Sequence, residues 1–298
     1  MNYSMCNKLF IIGNGFDLAH HLETSYSNFR EFLQDYNYSD VYEFIQNNCY
    51  IDSEWNEFES ALGRVDVDNF LSPYQQEMYF DDNEDLTSVS NMIVALEQVF
   101  PDIERLRNCF GEWINSIDID EAEPIEYFEE RILQGSNYFL TFNYTDTLEK
   151  IYHIPSERIL HIHGSLVNED ELQVGHGLPI QTLETYYEDP TNGYGTTSQI
   201  DEIHENENRI INSLRKDVPR ILSEHISWFS NIAPVDEVYS FGFSYNNIDI
   251  PYVQAIVLHS LTEDATWYLH PYVGDKNIDY EHQIRNCGFT GEFLRWGL

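Results

Sequence analysis

The stretch Leu9–Tyr26, LFIIGNGFDLAHHLETSY, decides how the rest of the chain is read. Four apolar residues, Leu9 to Ile12, run unbroken into Gly13-Asn14-Gly15, and Asp17 follows before a helical pattern begins. An unbroken apolar run marks a strand buried on both faces, the usual strand of a parallel sheet. Glycines directly after such a strand permit close backbone approach, and a carboxylate there holds a hydroxyl or caps an amide. The turn is not a complete dinucleotide fingerprint. Leu18 stands where a third glycine belongs, and no acid-tipped second strand follows about 20 residues on. A dehydrogenase of the usual kind is therefore not expected.

Outward from this turn, further short runs rich in aromatic and β-branched residues read as strands: Tyr138–Phe142, Ile159–Ile162, Val238–Phe243 and Thr266–Leu269. Helical patterns lie between them, which predicts an α/β fold with a mostly parallel sheet. A stripe from Met92 through Leu96, Val99, Ile103, Leu106, Phe110 and Trp113 to Ile117 repeats every three or four residues. Pro101 is expected to break or kink it. Ser25 and Ser53 are expected to cap helices in SYSNFREFLQDY and SEWNEFESALG. The reading is one α/β domain over 1–298, with a helical insertion at about 25–135 after the first strand. A polar loop or lid is expected at about 178–208.

Charge and cysteine spacing narrow the function. With 52 acids against 15 bases, the formal net charge of −37 repels phosphate backbones and anionic membranes. Direct nucleic-acid binding is not expected, nor is a membrane span, because no window approaches roughly 20 apolar residues. Cys6, Cys49, Cys109 and Cys287 form no C-x-x-C pair, so neither a zinc ribbon nor a disulfide framework is expected. No signal peptide is apparent at the N-terminus, and a cytoplasmic location is the expectation.

Each strand end carries chemistry. Asn143 and Asp146 follow the second strand, and His163-Gly164-Ser165 follow the third. His161 and His163, two apart, are expected on one face. The fourth strand ends in Gly242-Phe243-Ser244, with Asp249 a few residues on. Ligands of parallel sheets lie beyond the carboxyl ends of the strands, so these ends are expected to share a site. A competing reading takes His161, His163 and His176 as metal ligands. The segment RIINSLRKDVPR, with Arg209, Arg215, Lys216 and Arg220, reads either as a diphosphate contact or as a solvated face paired with acids.

LFIIGNGFDLAHHLETSYSNF, FLTFNYTDTLE, ILHIHGSL and YSFGFSYNNIDI, in that order, resemble the bacteriophage abortive-infection protein AbiH family. The same blocks are similar to sirtuin-like, Rossmann-related NAD-binding domains of antiviral defence systems. That resemblance implies NAD as substrate, no metal, and cleavage to nicotinamide and ADP-ribose. It implies that Gly13, Asn14, Gly15, Phe16 and Asp17 bind the nucleotide, with Gly242 and Ser244 beside the adenosine. Asn143, Asp146 and His163 would be catalytic. The cysteine pairs of a deacylase zinc module are missing, which disfavours protein deacylation. A sensor that binds NAD or ADP-ribose without cleaving it is the alternative. Beyond the nucleotide, the expected partners are a second copy of the chain, through the aromatic-rich insertion, and a phage-derived trigger.

Overall fold

The computed structural model describes residues 7–80, 85–168, 170–180, 191, 195–271 and 279–297. Its strands are β1 Asn7–Ile12, β2 Ser136–Thr141, β3 Ile159–His161, β4 Val235–Phe241, β5 Leu261–Leu269 and β6 Glu292–Arg295. The helices up to β2 are α1 Asn14–Ala19, α2 Tyr26–Asp35, α3 Ser39–Asn48, α4 Phe58–Leu62, α5 Asp68–Phe80, α6 Asp85–Ser116 and α7 Glu126–Ile132. After it come α8 Thr147–Tyr152, α9 Thr197–Ser213, α10 Val218–Asn231, α11 Ile250–His259 and α12 Tyr280–Asn286.

Two compact units emerge. The first holds residues 1–25, 114–173 and 217–298, and the second holds 26–113 and 174–216. In the first unit the strands form one sheet in the order β3-β2-β1-β4-β5-β6. Every pairing is parallel. The order reverses between β1 and β4, the position where doubly wound sheets open a crevice for a ligand.

Side chains alternate along β1: Leu9 and Ile11 join one core, Phe10 and Ile12 the other. Both faces are covered, and this is why the strand is apolar from Leu9 to Ile12. Helices α10, α11 and α12 contribute Phe229, Tyr252 and Ile284 to the first face. Phe16 of α1, Phe128 of α7 and Leu148 of α8 line the second. An aromatic row crosses this second face in register. Phe10 stands opposite Phe139 and Tyr239, with ring centroids 5.1 and 5.0 Å away, and Tyr239 stacks on Tyr268 at 4.4 Å.

The second unit is helical and has its own core. Phe29 meets Phe58, Phe110 and Trp113 at centroid distances between 5.1 and 5.5 Å. The Lys216 ammonium is buried and donates to Glu59 at 2.7 Å, which meets the need of a desolvated charge for a partner.

Some expectations need correction. Pro101 does not break α6, which continues through it with Met92, Leu96, Val99, Ile103, Leu106 and Phe110 buried on both sides. That burial outweighs the one hydrogen bond a proline removes. Ser53 caps nothing: α4 starts at Phe58, and Asp52 instead organises a turn by accepting from the Glu54 amide at 2.8 Å. The polar loop is helical from Thr197, where Thr196 and Gln199 form a reciprocal cap. Residues 181–190 and 192–194 of that loop lie outside the described residues. The edge strand β6 was not legible, because three of its four residues are exposed. Among the described residues, no helix is long and apolar enough to cross a membrane.

Candidate functional site

The glycine turn and the end of β4 are built against each other. Gly13 donates its amide to Phe241 O, and Gly15 donates to Gly242 O, each at 3.0 Å. Gly242 sits at φ +62, and a Cβ there would meet Phe16 N at 2.2 Å. A Cβ on Gly13 or Gly15 would meet Gly242 at 2.6 or 2.7 Å. These three glycines are thus required by one another. With the Phe16 amide donating to Gly13 O, the turn spends the amides of residues 13, 15 and 16 on backbone carbonyls.

At this reversal point a cleft of about 480 Å³ opens. Gly15, Leu18 and Ala19 form one wall, and Ser240–Phe243 with Tyr245 the floor. Leu269, His270, Pro271 and Tyr280 close the far side. His270 is stacked on Phe241, 4.0 Å between centroids, and its Nε2 meets the Tyr127 hydroxyl at 2.9 Å. Burial pushes the His270 pKa down, which favours a neutral ring.

Beside the cleft, Asp17 turns inward. It is 1% exposed and accepts from Thr145 Oγ1 at 2.5 Å and Thr147 Oγ1 at 2.9 Å. Burial raises its pKa to about 6, against the pull of both threonines, of Asn143 and of His161. Asn143 is buried too. Its amide nitrogen donates to Thr141 Oγ1 at 3.1 Å, and its carbonyl accepts from His161 Nδ1 at 3.3 Å. The carboxamide lies near enough to Asp17 to lower that pKa, yet neither of its polar atoms completes a hydrogen bond among the described residues. A buried carboxamide left in this way is uncommon and carries a cost.

The two histidines part company. The strand ends at His161, and the chain turns through Gly164 at φ +86. His161 meets Glu149 of α8 at 2.9 Å on the face of Leu148. His163 packs on the opposite face against Phe142 and Tyr252, its Nε2 3.8 Å from Asp249 Oδ1. The expectation of a shared face fails because the strand stops before His163. His176 belongs to the second unit and spends both ring nitrogens on the Ile211 carbonyl and the Leu178 amide. Among the described residues, no three His, Cys, Asp or Glu side chains gather closely enough to hold a metal ion.

Other expected site residues fall elsewhere. Phe16 is core, with Phe128 and Phe241 at 4.9 and 5.1 Å. Its ring has no exposed surface. Asn14 is exposed and donates to Thr24 O at 2.9 Å, Asp146 pairs with Lys150 at 3.5 Å, and Ser244 is exposed. His20 is buried between Phe16 O and Tyr152 Oη, each 2.7 Å away. Three cations of the basic segment have partners within the chain: Arg209 lies over Phe100, buried Lys216 pairs with Glu59, and exposed Arg220 pairs with Glu224. Sequence reasoning passed over Thr145 and Thr147, although NYTDT places two hydroxyls just past a strand end. It also gave no role to Tyr252.

Among curated proteins none matches the chain. The sequence pattern of the bacteriophage abortive infection AbiH family matches residues 9–270, from within β1 to just past the end of β5. The matched span takes in the glycine turn, the cleft floor and all four polar strand ends, and the chain belongs to the bacteriophage abortive infection AbiH family.

Proposed function

We propose that this family member hydrolyses NAD to nicotinamide and ADP-ribose, as a cytoplasmic enzyme that needs no metal. The observation that carries the reading is the buried Asn143 carboxamide, which completes no hydrogen bond of normal geometry among the described residues and lies beside Asp17, at the carboxyl edge of a sheet whose order reverses alongside. A carboxamide offers both donor and acceptor, so it suits a ribose hydroxyl or an attacking water.

In the reaction, the bond between ribose C1′ and the pyridinium nitrogen breaks, and its electron pair neutralises the departing nicotinamide. A water oxygen bonds to C1′, and its proton passes to His163. The departing group is already cationic, so the protein mainly orients the ribose and the water. The cleft at Gly15 and Gly242 would receive the adenosine half. A second copy of the chain and a phage-derived trigger remain the partners proposed beyond NAD.

One observation favours a second reading, a sensor that binds without turnover: Asn143 and His163 do not line the cleft. The test is NAD consumption by the purified chain with separation of products, beside Asn143→Ala and His163→Ala. Release of nicotinamide and ADP-ribose that both variants abolish supports the hydrolase. Full activity in His163→Ala refutes the assigned base, and binding of unchanged NAD supports the sensor.

A further inference from the structure

Asp249 and Tyr252 lie three residues apart at the start of α11, on the side that faces the end of β3. The Asp249 amide donates to Asn246 O at 2.8 Å, and its carbonyl accepts from Tyr252 N at 3.1 Å, so the carboxylate springs from a fixed turn. His163 is 3% exposed and enclosed by rings: Phe142 at 5.4 Å, Tyr252 at 5.9 Å and Tyr144 at 6.1 Å. The titratable groups that face it include Tyr144 from the segment after β2, and Tyr252 and Asp249 from α11. Asp249 is the one acid among them. Its Oδ1 is 3.8 Å from His163 Nε2, and Asp249 itself is only 9% exposed. Once His163 carries a proton, an ion pair so placed is weakly screened by salt, although 3.8 Å is longer than a hydrogen bond.

We infer that Asp249 is the positioning residue of His163: it holds the imidazole in one orientation and stabilises the imidazolium formed when His163 takes a proton. The inference rests on the hydrolase reading for its catalytic consequence, but the pairing itself does not depend on it. Asp249 keeps its negative charge throughout and takes no proton. The rings leave His163 little bulk solvent to solvate a new charge, so the nearby carboxylate is the group that balances it.

The experiment uses the full chain, with Asp249→Asn, His163→Ala and the double variant, in two measurements. In NAD hydrolysis, Asp249→Asn is expected to lower kcat about 10- to 100-fold while KM stays within about twofold. The double variant should be no slower than His163→Ala, because Asp249 acts through the histidine. In NMR titration, with the His163 resonance assigned from His163→Ala, the midpoint should fall by about one pH unit in Asp249→Asn, a tenfold loss of proton affinity. Asp249→Ser, also suited to a helix start, gives the same readout if the asparagine variant does not fold. Losses that multiply in the double variant, or a midpoint that does not move, overturn the inference. If the unaltered chain leaves NAD intact, the hydrolase reading falls and the titration alone decides the pairing.

Discussion

Replacing Asp17 by Asn should make the protein more stable at neutral pH and less dependent on pH. The carboxyl is wholly buried, and burial lifts its pKa from 3.8 to about 6, roughly two units. At about 1.4 kcal/mol per unit, the ionised carboxylate costs about 3 kcal/mol relative to a neutral group there. The folded state holds the proton more tightly than the unfolded chain does. The favourable contribution is therefore complete below pH 3.8 and is lost as pH rises through about 6. Asparagine is nearly isosteric and does not titrate, and its carboxamide can still accept from Thr145 or Thr147. The check is urea unfolding of both proteins at pH 5.0, 6.0 and 7.5, taking the difference so that other carboxylates cancel. Asp17→Asn should be ahead by about 3 kcal/mol at pH 7.5 and by roughly half of that at pH 5.0. A difference that does not change with pH would refute the reasoning. So would a variant less stable at pH 7.5, since the two threonine hydrogen bonds would then outweigh desolvation.

Gly242→Ala should be the most damaging single methyl near the cleft, costing about 3 kcal/mol or more in urea unfolding. The added carbon would collide with the backbone of Gly15 and Phe16 at a positive φ, and neither strand end has room to retreat. Tyr152→Phe should cost about 1–3 kcal/mol. Its hydroxyl accepts from the Ile125 amide at 2.8 Å and meets His20 Nε2 at 2.7 Å, so its loss strands both partners, one on buried His20 and one on half-buried Ile125. Burial depresses the His20 pKa, so that residue's contribution is present above about pH 6.5 and is lost as pH falls. Thermal unfolding at pH 7.5 and 5.5 checks this: His20→Gln should lose less stability on acidification than the unaltered protein.

What the chain's own order of residues determined was every feature written in local composition. A strand buried on both faces is apolar where its side chains enter the two cores, so Leu9–Ile12 of β1, Tyr138–Leu140 of β2 and Val238–Tyr239 of β4 are visible as apolar runs inside strands whose ends are polar. A turn that must meet another backbone needs glycine, so Gly13, Gly15 and Gly242 stand out before any contact is known. The helical stripe of α6 is likewise periodic in its own sequence. Tertiary structure alone decided who meets whom. Asp17 reads as a ligand contact until the fold brings Thr145 and Thr147 to it across 128 and 130 residues of chain. His161 and His163 share a face only if the strand continues, and where β3 stops is set by its neighbours rather than by its own residues. The basic segment reads either as an anion site or as a face paired with acids until the partners of Arg209, Lys216 and Arg220 are known. Periodicity and propensity are properties of a window of residues. The partner of a buried polar group depends on strand order and register, which no window contains.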